Sequence, residues 1–300
     1  MTEADASLAR GALAVPPIRP EYMQDTVAGQ NFGVVQKPLT VWQKLGNQAW
    51  LRKALILAGI ALAWELYARA LDNPLLVPPF AVTVEAFWDG MANGDILQKV
   101  VTSVQLLLRG YAIGLALAMV FTTLAMMSRL GSDLLDTLTA AFNPLPAIAL
   151  FPLALIWFGL GDLSIIFVLV HSVLWAVALN THSGFRSVSS TLRMVGRNYG
   201  LTGVRFVAKI LVPAAFPSIL TGLKVGWAFA WRTLIAAELV FGVFTGKGGL
   251  GWYINENKNM LNIPAVFAGL FTVILIGLVV ENLIFRTVEA ATVRKWGMQQ

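Results

Sequence analysis

Few side chains in this sequence could do chemistry, and most of those stand inside apolar stretches. The 300 residues contain no cysteine and only two histidines, His171 and His182. Thiol nucleophiles, disulfides and iron–sulfur ligation are therefore excluded. No acidic residue lies between Asp162 and Glu238, so neither histidine has the nearby carboxylates that a zinc site would need. A phosphate loop requires four residues between its glycines and a Ser or Thr after its Lys. The nearest approach, "GVFTGKG" at 242–248, has three, and Gly248 takes the place of the magnesium-binding hydroxyl. The chain reads as no enzyme, with no cofactor of its own. What remains is a set of charges within apolar sequence, Glu65, Arg109, Arg232 and Glu238. Such charges cost several kcal/mol in a bilayer and are functional by default.

The elements that carry these charges are membrane spans. Hydrophobic residues make up 57% of the chain and charged ones 13%, against about 25% charged in soluble domains, and the mean hydropathy is +0.70. The sequence predicts an all-α integral membrane protein of about six transmembrane helices. The first covers 54–71, and the others cover about 105–127, 134–158, 163–180, 219–243 and 264–286. Residues 1–50 are polar and proline-bearing and read as a disordered tail. Residues 72–98 form a loop with one short surface helix, 99–287 form the transmembrane core, and 288–300 form a second tail.

Lys/Arg bias sets the orientation. Seven basic residues and no acidic one lie between Leu163 and Ala237, whereas 72–98 carries four acidic residues and no basic one. The connection between spans four and five is thus expected in the cytoplasm, together with both termini, and 72–98 outside. Topology accounts for the pI near 9.7 without nucleic acid as a partner.

Three prolines, Pro144, Pro146 and Pro152, interrupt span three. Broken helices are tolerated in membranes where the freed backbone meets protein or a water-lined cavity. Asn143 and these prolines are candidates to line a pathway, a plain kink being the alternative. Arg232 and Glu238 lie six residues apart, about 120° around a helix, and cannot easily pair. Both are pathway candidates, and for an anionic cargo Arg232 is the attractive one; a structural ion pair with another span is the alternative. His171 reads as a hydrogen-bonded packing residue, Glu65 as a structural partner and Arg109 as a snorkelling cation. The four-residue spacings Gly110–Gly114 and Gly222–Gly226 suit close helix approach.

Residues 189–213 interrupt the apolar sequence with two short helices. Ser189 suits the N-cap of the first, and Gly200 can adopt the left-handed conformation that closes it. The second starts near Thr202, with Val204, Val207, Ala208 and Leu211 on one face, Arg205 and Lys209 on the other, and Pro213 as its stop. An interfacial helix on anionic lipid is one reading.

Gly200, Ile210, Val212 and Pro213, at the spacing found here, resemble the cytoplasmic loop signature of permease subunits of bacterial ABC importers. "LLVPPFAVTVEAFWDGMANGDI", "NPLPAIALFPLALIWFGLGD", "ILTGLKVGWAFAWRTLIAAELVFG" and "GKGGLGWYI" resemble, in order, the nitrate, sulfonate and taurine branch. The family's Glu-Ala-Ala triplet is replaced by Met194, Val195 and Gly196, so its acidic contact is not carried over. The resemblance implies a small-anion import pathway, two ABC ATPase subunits that bind the ATP, an external substrate-binding protein and a second permease copy. It also implies that the 189–213 segment couples to the ATPase through Met194, Gly200, Val204, Arg205, Val207, Lys209, Ile210, Leu211 and Pro213. The inner membrane would be its location. The alternative is a self-sufficient secondary transporter or channel. The topology has a direct test: Asp89→Cys, the only thiol in the chain, should react with an impermeant maleimide in intact cells, and reaction only after permeabilisation would overturn the orientation.

Overall fold

A computed structural model describes residues 47–245 and 248–295. The chain divides into two units, Met1–Ile56 and Leu57–Gln300. The tail expected over 1–50 lies outside the described residues up to position 46. Every element among the described residues is helical. In chain order these are α1 (Ala49–Leu71), α2 (Phe80–Ala92), α3 (Asp95–Met127), α4 (Arg129–Phe142), α5 (Phe151–Phe158) and α6 (Asp162–Ser187). There follow α7 (Ser190–Asn198), α8 (Gly203–Ala214), α9 (Phe216–Thr245), α10 (Leu250–Asn259) and α11 (Ile263–Arg294). The short helix expected in the 72–98 loop is α2.

Helix α6 is the most deeply buried of the spans. It can lie close to two neighbours because glycine faces it on both sides. A Cβ on Gly110 or Gly114 of α3 would lie 2.6 Å from Leu169 Cβ or 2.7 Å from Val173 Cβ, and one on Gly222 of α9 would lie 2.9 Å from Asn180 Cβ. Those separations are too short for real Cβ atoms, so the two glycine pairs seat α6 within one chain. Lipid tails give no hydrophobic drive for helix association, so this dispersion contact matters more than it would in water.

Four helices are long and apolar enough to cross a membrane, and six spans result if each of two bent pairs is one span. Span three is the first such pair: α4 and the segment from Ala147 through α5 are bent by 87°, so no straight helix runs over 134–158. Helix α3 begins at Asp95, about ten residues before the expected start, because Gly94 takes a positive φ at its N-cap and turns the chain. At the other end α11 continues through 288–294, where a free tail is expected, leaving 296–300 outside the described residues. Lys224 holds this extension by an ion pair with Glu289 at 2.8 Å, and Val293 packs with Leu220 and Phe285. Helix α1 docks near its C-terminal end, where the Trp64 indole donates to the Pro78 carbonyl at 3.0 Å. Glu65 binds Arg69 at 2.6 Å and accepts from the Ala81 amide at 3.0 Å, the structural role expected of it.

Arg109, expected to snorkel, faces Asp162 at the start of α6 at 3.4 Å, both side chains remaining well exposed. A pair this open contributes little to stability. The α3–α6 seam is the stronger constraint. Gly114→Ala should destabilise the protein by about 1–3 kcal/mol, the usual cost of overpacking, and lower its melting temperature in detergent. Gly59→Ala, where nothing lies within 4 Å of the added Cβ, should leave it unchanged.

Candidate functional site

The chain leaves α4 at Phe142 and meets Pro144 and Pro146 before it can form another regular turn. Asn143 keeps helical backbone angles as the C-cap of α4, Pro144 and Pro146 have no N–H to continue the helical ladder, and the Leu145 N–H closes a tight turn on the Phe142 carbonyl at 3.1 Å. One 3-10 turn over Ala147–Leu150 then leads into α5. This elbow faces α6 and α9 across a cleft of about 370 Å³. From α9 come Phe229, Arg232, Thr233 and Ala236, at i, i+3, i+4 and i+7; from α6 come His171, Ser172 and Trp175.

The cleft is a wall of aromatic rings with hydrogen-bond donors set into it. Phe142 stacks on Trp175 with ring centres 5.2 Å apart and 15° between planes, and His171 meets Phe142 edge-on at 6.3 Å. The Arg232 guanidinium lies 5.9 Å from the centre of the Phe229 ring, within cation–π range. Ser172 and Thr233 hydroxyls bond across α6 and α9 at 2.9 Å. No Asp or Glu lines the cleft, and among the described residues Arg232 forms no ion pair. The indole nitrogen of Trp175 and Nε2 of His171 are buried with no hydrogen-bond partner. His171 is therefore not the satisfied packing residue expected.

Of the pathway candidates, the structure brings Asn143, Pro144, Pro146 and Arg232 together, and sets Pro152 and Glu238 apart. Pro152 occupies the first turn of α5, where its missing N–H costs no helical bond, and it does not reach the cleft. Glu238 is 2% exposed and fully engaged elsewhere. Ser103 Oγ of α3 lies 2.8 Å from both of its carboxylate oxygens, and the Gly251 amide of α10 donates to it at 2.9 Å. The Leu250 amide donates to Ser103 Oγ at 2.8 Å. The carboxylate thus caps the N-terminus of α10, where the helix dipole favours negative charge, and ties α3, α9 and α10 together. Sequence reasoning did not find Ser103, nor the lining roles of Phe142, Trp175 and Phe229. The helical stripe 229, 232, 233, 236 was the available signal for Phe229.

The 189–213 segment forms the two short helices expected. The Ser189 hydroxyl accepts from the Leu192 amide. Gly200 has φ +71°, and the Leu201 amide reaches the Gly196 carbonyl while that of Gly200 reaches Arg197. That is the Schellman closure of a helix. The second helix ends at Ala214, one residue past Pro213, close to the expected stop. At 207–211 the backbone widens, with the Val212 amide bonding five residues back to Val207, which relieves the usual clash of a proline ring with the carbonyl four residues earlier. The helix meets α9 at 82°.

The expected apolar face divides in two. Val207 (6% exposed) and Leu211 (0%) are buried in the chain's own core, packed with Phe185, Val188 and Ala215, and so do not form a free docking face. Ile210 is half-buried and packs toward Gly196. Val204, Met194 and Tyr199 are exposed, as are Arg205, Lys209 and Pro213. Arg193 fixes the segment to the end of α6 by donating to the Phe185 and Val188 carbonyls.

Broken span, charged cleft and glycine-bounded helix pair all fall within the part of the chain that known proteins share. Residues 110–289 match the family described as binding-protein-dependent transport system inner membrane component. A putative ABC transporter permease of Methanocaldococcus jannaschii is 30% identical, over 80% of this chain and 90% of that protein. A putative aliphatic sulfonates transport permease of Escherichia coli is 30% identical, over 73% and 82%. The taurine transport system permease of the same organism is 25% identical, over 79% and 86%. The chain belongs to the family of binding-protein-dependent transport system inner membrane components, as a multi-pass ABC transporter permease subunit.

Proposed function

We propose that this permease subunit forms the import pathway for a small anion. The observation that carries the reading is the cleft between the broken span, α6 and α9, where Arg232 stands with no carboxylate facing it. A guanidinium within a membrane is stabilised when something negative meets it. The relatives named for aliphatic sulfonates and taurine support a sulfonate-sized cargo. In this reading the chain hydrolyses no ATP itself. Two ABC ATPase subunits bind the nucleotide, an external binding protein delivers cargo at the 72–98 side, and a second copy of the chain completes the pathway. Both termini lie in the cytoplasm.

The coupling contact falls to the exposed residues of α7 and α8. Met194, Tyr199 and Val204 supply the apolar part and Arg205 and Lys209 the charge, while Val207 and Leu211 hold the segment to the membrane core. Gly200 keeps the two helices at their angle, since a side chain there would strain the left-handed backbone.

Arg232→Gln should lower cargo uptake by about tenfold or more, because a hydrogen bond to a charged group contributes ~1.5–3 kcal/mol and each 1.4 kcal/mol is about tenfold. Co-purification with the ATPase should persist. Normal uptake by this variant would overturn the anion reading.

Val204→Asp, at an exposed site, should loosen ATPase co-purification by about tenfold while leaving the permease folded. The basis is the ~1.5–3 kcal/mol gained on burying an aliphatic side chain. Leu211→Asp should instead reduce the amount of folded permease. Unchanged ATPase binding by Val204→Asp would favour the lipid-surface reading of this segment.

A further inference from the structure

We infer that the cleft selects an organic anion with a flat aromatic body, an aryl sulfonate or aryl carboxylate, over an inorganic oxyanion or a zwitterion. The inference rests on the anion reading above and narrows it.

Size is the first ground. The part of the cleft that this chain lines has a volume of about 370 Å³, inside the range of roughly 300–1,000 Å³ typical of pockets for organic ligands. A trigonal planar or tetrahedral oxyanion alone would leave most of that space to be filled by water against aromatic walls. Shape is the second. Phe142 and Trp175 lie nearly parallel and Phe229 stands on the α9 side under Arg232, so the cleft offers ring faces and edges to a cargo that has a ring of its own.

The charge supplies the third ground. Trp175 lines the cleft with the body of its ring, 8% exposed. The Arg232 guanidinium, placed against the Phe229 ring, keeps its planar fork for two oxygens of one headgroup. An anionic headgroup at Arg232 would set the body of the cargo against the rings that line the cleft. A cargo ammonium would find no carboxylate in the lining, so a zwitterion would lose hydration of its positive end without compensation.

The test is titration calorimetry on the full-length permease in lipid nanodiscs, with benzenesulfonate, methanesulfonate, nitrate and taurine as probes. Benzenesulfonate should bind about tenfold tighter than methanesulfonate or nitrate, taurine should be the weakest, and Arg232→Gln should weaken both sulfonates alike. Equal affinity for methanesulfonate and benzenesulfonate, both lost in Arg232→Gln, would overturn the aromatic-body inference and leave the anion reading standing. Taurine binding as tightly as benzenesulfonate would do the same. Anion binding indifferent to Arg232, or absent for all four probes, would overturn both.

Discussion

The seating of α6 between α3 and α9 is the constraint on which the other features depend. Two glycine pairs bring backbones close enough that Leu169 and Val173 of α6 occupy the space a side chain on α3 would fill, and Asn180 and Val177 do the same against α9. In lipid, where apolar burial does not distinguish protein neighbours from acyl chains, this close approach supplies the packing, and the Ser172–Thr233 hydroxyl pair adds a polar bond at a defined height. With that register set, His171 and Trp175 of α6 and the 229–236 stripe of α9 face the same space. A slip of one turn along either seam would separate Arg232 from the indole it shares the cleft with.

The two intramembrane charges of α9 show how similar positions acquire opposite roles. Glu238 lies six residues after Arg232 and a third of a turn around the helix. That rotation points it at α3 and at the start of α10, where the Ser103 hydroxyl and the Gly251 amide donate to it and the Leu250 amide in turn donates to Ser103. A buried carboxylate so engaged is a fastening, and breaking such a group's partners is costlier than never having had it. Arg232 points the other way, into the proline elbow. There the irregular backbone of 143–146 can exist because it lines a cavity instead of lipid.

The all-helical class, the span positions and the break in span three were legible because each rests on local chemistry: apolar run length, proline, and glycine at a cap. The Ser189 cap and the Gly200 closure were legible for the same reason. Which apolar residues of α8 face inward was not. Val204, Val207, Ala208 and Leu211 share one helical stripe, yet Val207 and Leu211 are buried and Val204 is exposed, because only part of the stripe meets Phe185 and Val188 at the end of α6. The widened turn before Pro213 was hidden too, since it leaves no local signature. Glu238 and Ser103 are separated by 135 positions, and periodicity carries no information about a contact at that range.

In the coupling role proposed for the segment, the same division of α8 would let it act at a distance. Its inner residues are fixed to the end of α6 by Phe185 and Val188 and by the two Arg193 bonds, and its last turn passes into α9 through Ala215, itself buried. A load applied to Met194, Tyr199 or Val204 cannot be absorbed by the segment moving alone, because that would expose Leu211 and Val207. It must pass to α6 and α9 together. Arg232 lies sixteen residues along α9 from Phe216, about 24 Å at 1.5 Å per residue, and an unbroken helix transmits rotation over that length without a hinge. The two helices that would receive the load are the two that line the cleft opposite the proline elbow, so in the proposed coupling role movement at the exposed face of α7 and α8 would change the width of the cleft where the charge stands.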